Sequence, residues 1–180
     1  MAVIIISGTP CTGKTTLARL LAEKLKYIYI DGNELIKQYN LGEEFDKERD
    51  SWIVDAEKFS KVVEDIIASE KNIIIDSHLS HYIPCDLVDL CIITKCNLKV
   101  FKKRLEERGY DKKKVSENLD SEIFGVCEEE AKERGHNVVE IDTTKGISDN
   151  MINKIIENLN IETVNADEED ENDDDNDSIK

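Results

Sequence analysis

Nowhere in the 180-residue chain is there an apolar run approaching the ~20 residues that a membrane-spanning helix needs. No basic leader with a cleavage site precedes the first apolar run either, so a soluble, untargeted, cytoplasmic protein is expected. The five cysteines, Cys11, Cys85, Cys91, Cys96 and Cys127, are odd in number and form no C-x-x-C pair. That pattern argues against a disulfide framework and a zinc knuckle, and fits reduced thiols in a cytosol. Also missing is any surplus of basic residues: the net charge is −16, of which residues 162–180, with ten acids and one lysine, carry −9 and residues 1–161 carry −7. Direct nucleic-acid contact therefore has little compositional support, and the small basic cluster Lys112 to Lys114 reads as a solvated turn. The tail also lacks aromatics, cannot offset its chain entropy by burial, and is expected to be disordered. It reads either as a solubilising tail or as a decoy for a basic partner. There are no internal repeats, and the length fits one domain over residues 1–161.

Against these absences stands one strong motif. Residues 3–6 are wholly apolar; Gly8-Thr9-Pro10-Cys11-Thr12-Gly13-Lys14-Thr15 follows; and residues 16–25 have the spacing of an amphipathic helix. The order of strand, G-x-x-x-x-G-K-[ST] and helix is that of a phosphate-binding loop. Gly8 and Gly13 allow the tight turn and let backbone N–H groups approach a phosphate at a helix N-terminus. Pro10 and Cys11 lie inside the cradle. Lys14 adds a positive charge, and Thr15 offers a hydroxyl to Mg2+ bound with ATP. No other group of residues has the number and spacing for a protein-only metal site, so any metal is expected to arrive with the nucleotide.

Apolar runs and helical periodicities alternate along the rest of the chain. Strands are expected at residues 2–7, 27–30, 72–76, 87–94 and 138–141, and helices to about residue 26, from about 33 to 39, and over 54–69, 98–108, 115–134 and 147–159. The polar stretch 41–51 reads as a mobile flap outside the core. Such alternation predicts an α/β fold, a parallel sheet with helices on both faces, and ligands at the carboxyl ends of the strands.

Three further constellations fall on that rim. Asp76-Ser77-His78 ends the strand Ile73-Ile74-Ile75: Asp76 is suited to the shell of a phosphate-bound Mg2+, and His78 to orienting a nucleophile or touching phosphate. A turn-capping Asp76 and a merely exposed His78 are the plain alternatives. Arg104 and Arg108 close a helix before Gly109; an arginine fork beside a hinge suits a migrating phosphoryl group, whereas an ordinary charged helix surface explains Arg104 equally. Asp142-Thr143-Thr144-Lys145-Gly146 follows the last strand, where the stem of Lys145 can pack on a base or the loop can be a simple connection.

Together with the phosphate loop and Asp76-Ser77-His78, the segments Arg104-Leu105-Glu106-Glu107-Arg108-Gly109-Tyr110 and Glu117-Asn118-Leu119-Asp120-Ser121-Glu122-Ile123-Phe124 resemble the small adenylate-kinase-like ATPases of archaea and eukaryotic nuclei. This family includes the coilin-interacting nuclear ATPase and a ribosome-assembly factor. The resemblance runs from Ile4 to about Leu159. It implies a P-loop nucleoside-monophosphate-kinase fold with a monophosphate-binding arm at about 33–53 and a short lid at about 108–116. It further implies a monomer that converts ATP plus AMP to two ADP, hydrolyses ATP, and acts in small-ribosomal-subunit maturation with a basic ribosomal protein of the pre-ribosome. Carried over, Gly13, Lys14, Thr15 and Thr16 hold the triphosphate and magnesium, Arg108 is the lid arginine, and Lys145 touches the nucleotide. Asp76 and His78 match the Asp-x-His element, with Lys14, Asp76, His78 and Arg108 as the catalytic set. Asn33 and Lys37 fall to AMP. Two residues depart from the family pattern: Cys11 replaces a common glycine, and Lys37 replaces an arginine whose bidentate fork it cannot reproduce. Alternatives are an assembly ATPase with little kinase activity and a P-loop kinase for a small metabolite such as shikimate or dephospho-coenzyme A.

Overall fold

The computed structural model describes residues 2–46 and 51–159; the part of the arm at 47–50 and the acidic tail at 162–180 lie outside the described residues. In chain order the elements are β1 (Val3–Ser7), α1 (Lys14–Leu25), β2 (Ile28–Asp31), α2 (Gly32–Gln38), β3 (Gly42–Asp46), β4 (Ser51–Val54), α3 (Ala56–Ser69), β5 (Ile73–Asp76), β6 (Leu90–Lys95), α4 (Leu98–Glu107), α5 (Lys112–Ile123), α6 (Val126–Glu133), β7 (Val138–Asp142) and α7 (Asp149–Asn158). Short 3-10 turns at Ser80–Tyr82 and Cys85–Leu87 lead into β6. Among the described residues no helix is long and apolar enough to cross a membrane.

Five strands pair in parallel in the order β2-β5-β1-β6-β7. The three inner strands are apolar at nearly every position because both faces of the sheet are covered. Side chains alternate between faces, so Val3 and Ile5 join Phe59 and Val63 in one core, while Ile4 and Ile6 join Leu17, Leu21, Ile152 and Ile155 in the other. A third cluster, Phe101, Leu105 and Val115 with Cys96, binds α4 to α5 beside the loop that follows β1. Since β1 has β5 on one side and β6 on the other, that loop leaves the sheet where the connections diverge, the position at which ligands enter such folds.

Local structure differs from the sequence expectation in three places. Residues 115–134 do not form one helix: the chain breaks at Gly125, whose φ of 60° ends α5 and starts α6. Lys112 to Lys114 are not a turn but the first turn of α5, capped by the Asp111 carboxylate, which accepts from the Lys114 N–H at 2.8 Å. In the polar stretch 41–51, Leu41 is buried in the core against expectation, while residues 42–46 stand largely exposed and pair with the following strand, β3 antiparallel to β4. Phe45 faces Trp52 across this pair, their rings 5.4 Å apart at 69°, and such aromatic cross-strand contacts are what hold an isolated ribbon.

Candidate active site

Ser7 ends β1, and the loop turns at once through Gly8, at φ 137°, where a Cβ would stand 2.7 Å from the Thr94 carbonyl oxygen. Gly13, at φ 100°, precedes α1 and would meet Thr143 if it carried a side chain. Between them Cys11 takes a left-handed φ of 70°, a conformation that costs a non-glycine residue about 1–2 kcal/mol. The Lys14 ammonium folds back over the loop and donates to the carbonyls of Gly8 at 2.8 Å and Thr9 at 3.0 Å. Burial pushes its pKa down, opposed by the Asp76 carboxylate.

Asp76 ends β5 in register with Asp31 of β2. Its buried carboxylate accepts from the Thr15 hydroxyl at 2.5 Å and from the Tyr29 hydroxyl at 3.2 Å. Desolvation raises the Asp76 pKa above the ordinary carboxylate value and Asp31 adds to the rise, while Thr15, Lys14 and Tyr29 counter it. The Tyr29 phenol is itself pushed up to about 12, first by desolvation. A carboxylate and a hydroxyl form a hard oxygen pair of the kind that suits Mg2+, which keeps several waters and takes few protein ligands. His78, two residues beyond, is exposed on the cleft; desolvation by the cleft walls, then the Lys14 and His81 charges, push its pKa down to about 4, and the imidazole is neutral at pH 7.

These groups line one cleft of about 940 Å3. Pro10, Cys11, Gly13, Lys14, Thr15 and Thr16 form its floor, with Asp76 and His78 beside them. Arg104, Arg108 and Tyr110 come from α4 and the segment after it, which follow β6 on one side of β1, and Asn33 and Lys37 from α2, which follows β2 on the other. Arg108 caps α4, with its guanidinium 5.9 Å from the Tyr110 ring and Nη1 3.8 Å from the Cys11 sulfur. Gly8 shapes the loop without lining the cleft. Lys145 is exposed on the turn after β7 and is not brought to the cleft, whereas its neighbours Gly146 and Ile147 are.

Two residues that sequence reasoning gave no role hold the loop in shape. Glu122 of α5 accepts from the Thr9 hydroxyl at 2.7 Å and from the Cys96 N–H at 3.0 Å. Thr143 donates its hydroxyl to the Thr12 carbonyl and receives both arms of Arg104, on its hydroxyl at 3.1 Å and its carbonyl at 2.8 Å. Arg104 is thereby a clamp on the loop after β7 as well as part of the cleft wall.

A phosphate cradle at the switch point of a parallel sheet, faced by a carboxylate, an imidazole and an arginine, defines a P-loop kinase of the nucleoside-monophosphate-kinase architecture. Solved structures agree on the fold: shikimate kinase from Acinetobacter baumannii in complex with shikimate superposes with a TM-score of 0.62 at 16% identity, over 88% of this chain and 93% of that one. Deoxyadenosine kinase from M. mycoides with bound dATP gives 0.55 at 17%, over 89% and 100%. The family model described as "AAA domain" matches residues 4–125. A "Putative adenylate kinase" of Methanocaldococcus jannaschii is 43% identical over 154 residues, 86% of this chain and 84% of that protein. Its namesake in Pyrococcus furiosus is 37% identical over 158 residues, 88% and 84%. The chain belongs to this archaeal-type adenylate kinase family.

Proposed function

We propose that the protein transfers the terminal phosphoryl group of ATP to AMP, giving two ADP, and hydrolyses ATP more slowly when water takes the place of AMP. The observation that carries this reading is that Lys14 and Thr15 of the phosphate loop line one cleft with Arg108, from the β6 side of β1, and with Asn33 and Lys37, from the β2 side. A donor and an acceptor nucleotide can meet there over the loop. Phosphoryl transfer asks little covalent chemistry of a protein and much positioning and positive charge. The loop amides and Lys14 hold the phosphates, and Arg108, exposed next to Gly109 at φ 82°, swings in to neutralise charge on the migrating group. Thr15 and Asp76 are the residues that would hold Mg2+, which when bound offsets the charge of the phosphate oxygens. Neutral His78 serves as a hydrogen-bond partner for the acceptor or for water rather than as a second cation. Mixing the protein with ATP, AMP and Mg2+ tests the reading, and ADP formation no faster than with ATP alone would refute it.

The resemblance of its motifs to those of ribosome-assembly ATPases supports extending the proposal to small-subunit maturation, through a basic ribosomal protein attracted by the net charge of −16. A tagged chain that retrieves no ribosomal protein or pre-ribosomal RNA in any nucleotide state refutes that extension without touching the kinase reading.

A further inference from the structure

We infer that Trp52 is the platform on which the base of the acceptor nucleotide stacks, an inference that rests on reading the cleft as a nucleoside monophosphate kinase site. Trp52 is the chain's one tryptophan and is 58% exposed. A large aromatic ring left open to solvent forgoes much of the stabilisation that its burial would bring, so its position calls for a reason. The ring is also fixed in place. Its back rests on Gly42, where a Cβ would stand 2.8 Å from Cε3 and 2.9 Å from Cδ2, so only glycine lets the indole lie so close to the backbone. The edge-to-face contact with Phe45 holds it from the side. One face lies against Gly42 of β3, more than half of the side chain stays open to solvent, and Trp52 is among the residues that line the cleft.

The neighbours match the ligand. Val54, two residues along β4 and therefore on the same side of the strand, and Ile36 of α2 extend the apolar wall. Asn33 and Lys37, one helical turn apart on α2, add an amide and a cation to the lining of the same cleft. A flat apolar platform beside a cation suits a molecule with a planar heteroaromatic ring and a phosphate, which is a nucleoside monophosphate. A preformed indole costs little entropy on binding, and base–aromatic stacking is strong enough to set affinity.

The test uses the single tryptophan as its own probe. AMP titrated into the whole protein should quench Trp52 emission saturably, over the concentrations that set its KM, while ribose 5-phosphate, which has no base, should leave the emission unchanged. W52A should raise the KM for AMP about 10- to 100-fold with the KM for ATP little changed, and W52F, which keeps a ring, should recover most of the loss. Absence of quenching by AMP, equal quenching by ribose 5-phosphate, or a W52A enzyme with wild-type KM for AMP would each overturn the inference. If the wild type forms no ADP, the kinase reading fails, and the two titrations still decide whether a base stacks on Trp52.

Discussion

Thr143→Val isolates what holds the phosphate loop in shape, since valine keeps the branched outline and deletes one hydroxyl. Thr143 is 1% exposed. Its hydroxyl donates to the Thr12 carbonyl, with the Lys95 carbonyl 3.2 Å away as a second acceptor, and accepts from Arg104 at 3.1 Å. The substitution leaves the buried Thr12 carbonyl without that donor, at a cost of about 1–3 kcal/mol. Arg104 keeps its bond to the Thr143 carbonyl and is partly solvated, so its share is small. The added methyl returns about 0.8 kcal/mol. The net loss is about 0.2–2 kcal/mol, or up to roughly 8 °C in Tm for a chain of this length. The loss should also reach the site, because Gly13 packs against Thr143. Urea unfolding followed by circular dichroism, paired with the KM for ATP, should place T143V below T143S, which retains the hydroxyl, in stability and in ATP affinity. A T143V protein as stable as T143S with the same KM for ATP would refute the claim that this hydroxyl orders the loop.

Arg108→Ala should slow ADP formation by about 10²–10³-fold, as loss of a group that stabilises transition-state charge does, while the unfolding midpoint stays in place because Arg108 is exposed; comparable loss of both would show a structural role. Iodoacetamide should inactivate the enzyme at Cys11, with ATP protecting, and C11G should resist; inactivation of C11G at the wild-type rate would move the sensitive thiol elsewhere. Asp76→Asn separates stability from activity. Folding raises the Asp76 pKa, so its charge destabilises the folded state in full above that folded pKa, and the penalty disappears as pH falls below the unfolded value. D76N should therefore melt above the wild type at pH 7, converge with it toward pH 4, and lose ADP formation; a D76N protein that melts lower at pH 7 would contradict this.

The sheet was legible because β1, β5 and β6 are covered on both faces and so read as unbroken apolar runs, Ile4-Ile5-Ile6 and Ile73-Ile74-Ile75 most plainly. The phosphate loop was legible because its chemistry requires consecutive residues. Breaks and ribbons were not. Val115 and Leu119 continue a helical spacing toward Ala131, and the break at Gly125 depends on a left-handed φ that a lone glycine does not announce. The β3–β4 pair hid behind Glu43, Glu44 and Asp46, because its support comes from Phe45 meeting Trp52 across the intervening chain. Glu122 and Thr143, though within segments singled out, received no role for a related reason. Their partners Thr9 and Thr12 are 113 and 131 residues away, and no local period records a contact of that range.

Asp31 and Asp76 end adjacent parallel strands in register, with the Tyr29 hydroxyl 3.5 Å from one carboxylate and 3.2 Å from the other. Two like charges side by side need separate reasons to persist. Asp31 has a structural one: its carboxylate accepts from the Asn33 N–H at 2.9 Å and caps α2, where the helix N-terminus favours a negative charge. Asp76 caps no helix. Besides the shared Tyr29 hydroxyl, its partners are the Thr15 hydroxyl and the charge of Lys14, both parts of the phosphate loop, and burial makes its own charge unfavourable. A side chain chosen for stability would be neutral at that strand end. Cys11 in its left-handed conformation and desolvated Lys14 add further costs on the same rim, where phosphate chemistry needs them, and the isoleucine-rich strands beneath offset them.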